Sequence, residues 1–241
     1  MQQARRTQRA SNNNQQRTLL IIGVIAVIAV IVAIIAIVIS NNSIPTASNM
    51  TYAEVPKNRT PDGGFVIGNP DAPVTIVEFA DFACPHCQAY SSDIAKFVHE
   101  YVFTGKAKFE YRMFISAADP TYGPYTAQLA ECTDTIKPGT FWQAHDILFE
   151  LGSRGRFNET TARTLAERVD VNYSELLGCA QDAEQFTKDV QFGSSMGVQS
   201  TPTIMVRKGN TDPQFIRSGG QTWDRGPVPY ELLVAVVEGN Q

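Results

Sequence analysis

Acidic residues are missing from everything before Glu54, and charge of either sign is missing from Leu19–Ile39. Histidine is scarce, at three, and cysteine numbers four. No cysteine lies near the end of the apolar run, which excludes a lipidated cysteine there, and no clean Ala-x-Ala cleavage site follows it. No internal repeat is present. Each gap narrows the function classes. Outside one close pair only Cys132, Cys179 and scattered histidines remain, and none is spaced as a second pair of zinc ligands. An acid-free start followed by an uncharged apolar run is not the start of a soluble domain.

As a helix, Leu19–Ile39 reaches about 32 Å, enough to cross a hydrocarbon core of roughly 30 Å. Arg5, Arg6, Arg9 and Arg17 precede it, and positive flanks stay cytoplasmic. The expectation is an uncleaved signal anchor at 19–39 behind a disordered cytoplasmic tail at 1–18. The alternative is a cleaved signal peptide, whose apolar core is usually ~7–15 residues. Either way the remainder lies outside the cytoplasm, where disulfides persist. With the four N-terminal arginines deducted, residues 41–241 carry a net charge of about −8, which does not favour nucleic acid as a partner.

Residues 40–61 are polar, contain prolines and show no apolar period, and they read as a linker. Phe65–Gly68 reads as a short strand, and Val74–Phe79, apolar on both faces, as a buried central one. Tyr90, Ile94, Phe97, Val98 and Tyr101 recur at helical steps, and the strand Lys108–Ile115 follows. That is a βαβ unit. From Tyr122 to Met196 the pattern predicts five helices, with Asn158, Asn172 and Asp182 as caps. Thr203–Arg207 and Gln214–Ser218 read as a hairpin, and a helix runs from about Val228 to Val237. The predicted architecture is α/β: a thioredoxin fold over 62–241, with a mixed central sheet flanked by helices. An all-helical insertion at about 120–196 divides it, and one transmembrane helix precedes it.

Cys84-Pro85-His86-Cys87 sits between the central strand and its helix. A helix N-terminus offers free N–H groups and the positive end of the macrodipole, which favour a thiolate. Pro85 suits the first turn, and a protonated His86 adds favourable charge. These features lower a thiol pKa and stabilise the reduced form, making the disulfide oxidising. Cys84 is assigned as the exposed nucleophile and Cys87 as the more buried resolving thiol. Zinc ligation and an inert bridge are the rival readings of the same spacing; neither requires Pro-His at this junction. Thr201-Pro202 precedes a strand. Pro202 is read either as an ordinary trans proline or as a cis proline against the dithiol, with the Thr201 backbone free to pair with a substrate strand.

Glu78-Phe79-x-x-Phe82-x-Cys84-Pro85-His86-Cys87, with Gly197-Val198-x-x-Thr201-Pro202-Thr203 downstream, resembles the DsbA-like thiol-disulfide oxidoreductases. Phe141-Trp142-x-x-His145-Asp146-x-Leu148-Phe149 resembles a segment of their helical insert. The resemblance spans about 62–241. It implies a cis-Pro202 facing Cys84, and oxidation of cysteine pairs in exported proteins. It also implies a membrane quinone-linked thiol oxidase as the reoxidising partner. Thr201 departs from the valine common before that proline, which bears on substrate preference. By the same resemblance an acid at Glu78 lies beneath the dithiol and assists proton transfer; the alternative is an edge or solvated glutamate. Asp81 is expected in a solvated loop. No metal or organic cofactor is called for.

Cys132 and Cys179 fall on separate predicted helices. Free thiols are a liability in an oxidising compartment, so a structural bridge is expected. It closes about fifty residues and contributes roughly 4 kcal/mol on the chain-entropy model. A relay pair exchanging with Cys84–Cys87 is the alternative. Trp142 and His145 are read as core and cap, and His99 as a favourable charge near a helix end. Two other functions remain open for the whole chain. One is a reductase or isomerase of the same fold; the other is a chaperone or binding module whose dithiol is only structural.

Overall fold

The structure, a computed structural model, describes residues 52–115 and 118–239. The chain divides into two units, Met1–Ile44 and Pro45–Gln241, and all described residues fall in the second. The apolar run Leu19–Ile39 lies outside the described residues. Among those described, no helix is long and apolar enough to cross a membrane.

In chain order the strands are β1 Lys57–Arg59, β2 Phe65–Gly68, β3 Val74–Ala80, β4 Lys108–Met113, β5 Thr203–Lys208, β6 Gln214–Ser218 and β7 Gln221–Trp223. They form one sheet in the order β1-β2-β4-β3-β5-β6-β7. Only β3 and β4 pair in parallel, and all other neighbours are antiparallel. Helix α1, Pro85–Phe97, crosses between β3 and β4 and runs into a π-helical turn at Val98–Val102. The insertion holds α2 Tyr122–Ile136, α3 Phe141–Ser153, α4 Thr161–Val169, α5 Tyr173–Ala180 and α6 Gln185–Ser195. The last helix, α7, is Tyr230–Glu238. This is the thioredoxin-like mixed sheet with helices packed on it.

All seven residues of β3 are buried, including Glu78. Strand β3 is central, so both of its faces are covered, as its unbroken Val/Ile/Phe content requires. The core runs continuously from the sheet through α1 to α2, α3 and α4. Asn172 caps α5 by accepting from the Ser174 and Glu175 amides. Asn158 and Asp182 do not hold the N-cap position: α4 starts from Thr160 and α6 from Glu184.

One predicted boundary is corrected and one strand is added. The stretch 40–61 is not wholly linker, because Tyr52–Glu54 forms a 3-10 turn and β1 pairs with β2. One buried apolar side chain, Val55, and a backbone ladder suffice there, and neither leaves a periodic pattern. Strand β7 was not anticipated either. Its turn is Gly219-Gly220, both at positive φ (58° and 80°), the geometry of a two-residue hairpin.

A buried ionic cluster also escaped the sequence reading. Arg112, 1% exposed, bonds Glu110 at 2.7 Å, Asp62 at 2.7 Å and Asp189 at 3.0 Å. Asp189 on α6 also accepts from the Met113 amide at 3.0 Å. The cluster ties β4, α6 and the turn after β1 together. Gly64 lies against the guanidinium: a Cβ there would come within 2.4 Å of it.

Candidate active site

The end of β3 and the start of α1 place the two thiols. Asp81 anchors the turn between them, its carboxylate accepting from the Ala83 amide at 2.9 Å and its carbonyl from the Cys84 amide at 3.0 Å. Asp81 is 1% exposed, which corrects the expectation of a solvated loop residue. Its turn bonds hold it inside, beneath α2.

Cys84 occupies the N-cap position of α1, and Pro85 opens the first turn without leaving an unpaired N–H. Both cysteines are free thiols. Cys87 is wholly buried and Cys84 is 4% exposed, so the expectation of an exposed nucleophile is also corrected. What covers Cys84 is the loop before β5. The Thr201–Pro202 bond is cis, and Cys84 Sγ donates to the Thr201 carbonyl oxygen at 3.6 Å. Pro85 and His86 are exposed beside it.

The two thiols differ sharply. Cys84 is lowered to about 5, first by its hydrogen bond with Cys87. Burial opposes this, while the Thr201 hydroxyl and the Cys87 and His86 backbone amides assist it. Those amides are the free donors of a helix N-terminus. Cys87 is pushed far up by burial, by Cys84 and by the Glu78 carboxylate. Cys84 is therefore the thiol that ionises first, giving up its bond to the Thr201 carbonyl as it does so, and Cys87 stays protonated. The Thr201 hydroxyl is buried with no hydrogen-bond partner while Cys84 is a thiol, which leaves it free to turn towards the thiolate.

Glu78 is 1% exposed on β3, opposite Tyr111 of β4 and Ile204 of β5. Burial raises it to about 8. It is neither at an edge nor solvated. Tyr90, whose hydroxyl donates to the Val228 carbonyl at 2.7 Å, is also held up by burial and by Glu78.

Cys132 on α2 and Cys179 on α5 are joined by a disulfide across a sequence separation of 47. Trp142 and His145 on α3 are buried in an aromatic cluster with Tyr111, Phe82 and Phe149. His99 is exposed on the π-helical turn. Among the described residues no group of three or more His, Cys, Asp and Glu is arranged to hold a metal ion. Sequence reasoning missed the role of Asp81. Its signal was its position two residues before Ala83, where an Asx turn fits.

The family described as thioredoxin matches residues 60–216. The disulfide bond formation protein D of Bacillus subtilis is 32% identical over 154 residues, which cover 58% of this chain and 66% of that protein. The Na(+)/H(+) antiporter NhaA 3 of Salinispora tropica is 29% identical over 149 residues, covering 61% of this chain but 22% of the antiporter. The chain thus spans no more than about two thirds of these relatives. The crystal structure of oxidised BdbD from Bacillus subtilis superposes with a TM-score of 0.57 at 26% identity, covering 72% of this chain and 90% of that one. With a cis-proline loop laid against a Cys-Pro-His-Cys helix start, the chain belongs to the thioredoxin family, among its DsbA-like thiol-disulfide oxidoreductases.

Proposed function

We propose that this chain is a membrane-anchored, extracytoplasmic thiol oxidase that forms disulfides in exported proteins. The observation that carries the reading is the unequal placement of the two thiols: Cys84 at the N-cap of α1 against the cis-Pro202 loop, which lowers it, and Cys87 wholly buried behind it, which pushes it up. Disulfide exchange needs a good leaving group on the substrate-facing sulfur and a partner thiol kept protonated until required. Leu19–Ile39 with its four preceding arginines supports the anchor, the cytoplasmic N-terminus and the outward-facing domain.

In the working cycle a substrate thiolate attacks Cys84 of the Cys84–Cys87 disulfide. The S–S bond breaks, a mixed disulfide forms at Cys84, and Cys87 leaves with the electron pair. Glu78, neutral below about 8, gives Cys87 its proton. The substrate's second thiolate then attacks its own mixed-disulfide sulfur and expels Cys84. A leaving thiol near 5 departs readily. The Thr201 backbone, beside the reacting sulfur and next to cis-Pro202, is where an extended substrate segment pairs. Cys132–Cys179 is a structural staple. A membrane quinone-linked thiol oxidase restores the Cys84–Cys87 disulfide.

Equilibration in glutathione buffers with thiol counting tests the reading. Two cysteines titrate, at a potential nearer to DsbA's (about −120 mV) than to thioredoxin's (about −270 mV). A value near thioredoxin's would assign a reductase instead, and four titrating cysteines would make Cys132–Cys179 a relay.

A further inference from the structure

Gln88 follows Cys87 directly, and its side chain is half-buried. It turns back past the start of α1, where Nε2 donates to the Phe82 carbonyl at 2.8 Å. Phe82 lies two residues before Cys84. The Gln88 backbone amide donates to the Cys84 carbonyl at 3.0 Å. One residue thus holds the chain on both sides of the reactive cysteine. The Phe82–Ala83 peptide is gripped at its other end too, because the Ala83 amide donates to the Asp81 carboxylate at 2.9 Å. Phe82 itself is 1% exposed, its ring stacked on Tyr111 at 5.2 Å between centroids and tilted against Phe149 at 5.0 Å. The turn that delivers Cys84 is therefore pinned to the core by its Phe82 ring, and the Gln88 side chain ties it to α1 itself.

The fold leaves room for this bond at one place. Gly152, buried on α3, faces Gln88: a Cβ there would come within 2.5 Å of Gln88 Nε2 and 2.9 Å of the Phe82 oxygen. Gly152 is not among the glycines at positive φ, so the missing side chain supplies space and not backbone freedom. Glycine inside a helix is less favourable than alanine, and ordering a long polar side chain costs entropy. Both costs fall at the same point. An apolar residue at 88 with alanine at 152 would fill that space as well, and would leave the Phe82 oxygen without this donor. Buried carbonyls are rarely left so.

Cys84 Sγ is activated where the Cys87 thiol, the Thr201 hydroxyl and the His86 and Cys87 amides converge on it. Hydrogen bonds weaken steeply as their geometry departs from ideal, so the turn before Cys84 has to be held as firmly as the helix after it. We propose that Gln88 is a positioning residue of the dithiol: its side-chain amide clamps the Phe82 carbonyl, with Gly152 of the helical insertion as the socket, and so keeps Cys84 Sγ on its donors. This role rests on Cys84 being the activated, substrate-facing sulfur. Gln88 acts through the Phe82 peptide and takes no part in bond exchange. With the clamp in place, the negative end of the Phe82 carbonyl dipole is satisfied by Gln88. With the clamp lost, that oxygen is bare two residues from a thiolate and the turn is free to shift. Both effects disfavour the thiolate. The socket also gives the insertion a part in setting the chemistry, since Gly152 belongs to α3 and the sulfur to the sheet-to-α1 junction.

Iodoacetamide alkylation of Cys84 in the reduced full-length protein, followed from pH 4 to pH 9, tests the clamp, together with glutathione equilibration of the same proteins. Gln88→Met keeps the length of the side chain and removes the donor. Its Cys84 midpoint rises by at least about half a pH unit, a factor of about three in thiolate stabilisation, and its reduction potential falls by about 15 mV. Gly152→Ala leaves Gln88 in the sequence and takes its socket, and both readouts move in the same directions. Gln88→Met keeps the test sound if Gly152→Ala folds poorly, because residue 88 is half-buried on the outside of α1. A midpoint and a potential equal to the wild type's in Gln88→Met overturn the proposal even where thermal stability drops, because they leave Gln88 a packing role. A shift confined to Gly152→Ala overturns it too, since α3 then presses on the turn without Gln88. A wild-type potential near thioredoxin's sinks the oxidase reading instead, and the difference between Gln88→Met and the wild type still decides the clamp.

Discussion

Cys84 Sγ lies 3.6 Å from the carbonyl oxygen of Thr201, a residue 117 positions later in the chain. The contact joins the helix start that activates the thiol to the cis-proline loop that shields it. It also places the Thr201 hydroxyl among the groups that hold the thiolate.

Alkylation of the reduced protein reports the activated thiol directly. Cys84 reacts with iodoacetamide with a midpoint near pH 5, and Cys87 stays unreacted until the protein unfolds. A Cys84 midpoint above 7 contradicts the assignment. The sign of the accompanying stability effect follows from linkage. The folded value, about 5, lies below the ordinary 9, so the thiolate's contribution to the reduced form is complete above about 9 and is lost as pH falls through 5. Denaturant titrations of reduced and oxidised protein therefore diverge by about 1.4 kcal/mol per pH unit across that window, in favour of the reduced form as pH rises.

Thr201→Val keeps the shape and removes the hydroxyl. A hydrogen bond to a charged group is worth about 1.5 kcal/mol, or about one pH unit. The Cys84 midpoint rises by about that much, and the disulfide becomes less oxidising. An unchanged midpoint means that the backbone amides of α1 and the Cys87 thiol do the work alone.

Glu78→Gln separates catalysis from stability. Burial raises Glu78 from 4.5 to about 8, so the folded state holds its proton more tightly than the unfolded state does. The wild-type chain then loses stability as pH rises from about 4.5 to about 8. The Gln variant gains on the order of 3 kcal/mol at pH 7 and close to nothing at pH 4. Exchange slows in the same variant, because Cys87 no longer receives a proton from that position. Equal stability of both proteins at pH 7 contradicts a buried, uncompensated carboxyl.

Replacing Cys132 and Cys179 together by alanine removes a staple across a separation of 47 residues. The chain-entropy model sets the loss at about 4 kcal/mol. Disulfide formation by Cys84–Cys87 continues at temperatures where the variant remains folded; its disappearance there marks a relay rather than a staple.

Arg112→Met strands Asp62 and Asp189 without their shared cation and leaves Glu110 with Arg207 alone. Removing one partner of a buried ion pair costs about 3–5 kcal/mol. Thermal unfolding shows the loss, while the alkylation midpoint of Cys84 stays where it is.

Much of the fold was legible because its signals are local. The five insert helices announced themselves by period and by punctuation at Gly, Pro and Asn, and Tyr173–Ala180 begins and ends where its cap and pattern place it. Val74–Phe79 reads as central because its apolar run leaves no face for water, and β3 extends it by Ala80. Strand β1 and the burial of Asp81 were not legible. The first rests on a backbone ladder with β2, and the second on which helix happens to cover a turn. Glu110 and Arg112 look like the polar face of an alternating strand until α6 brings Asp189 over them.

By itself the sequence determined the chemistry and its local setting. A dithiol with Pro-His between its cysteines, at a strand-to-helix junction, admits few uses, because propensity and dipole act within a turn or two of the motif. Only the tertiary structure decided which groups meet across the fold. It set Thr201 against Cys84, Glu78 beneath Cys87, Tyr111 beside His145, and Cys132 against Cys179. Those contacts depend on strand order and helix packing, which join residues that no short stretch of sequence relates. They also set the burial that separates the two thiols, because desolvation belongs to the assembled core and not to any segment of it.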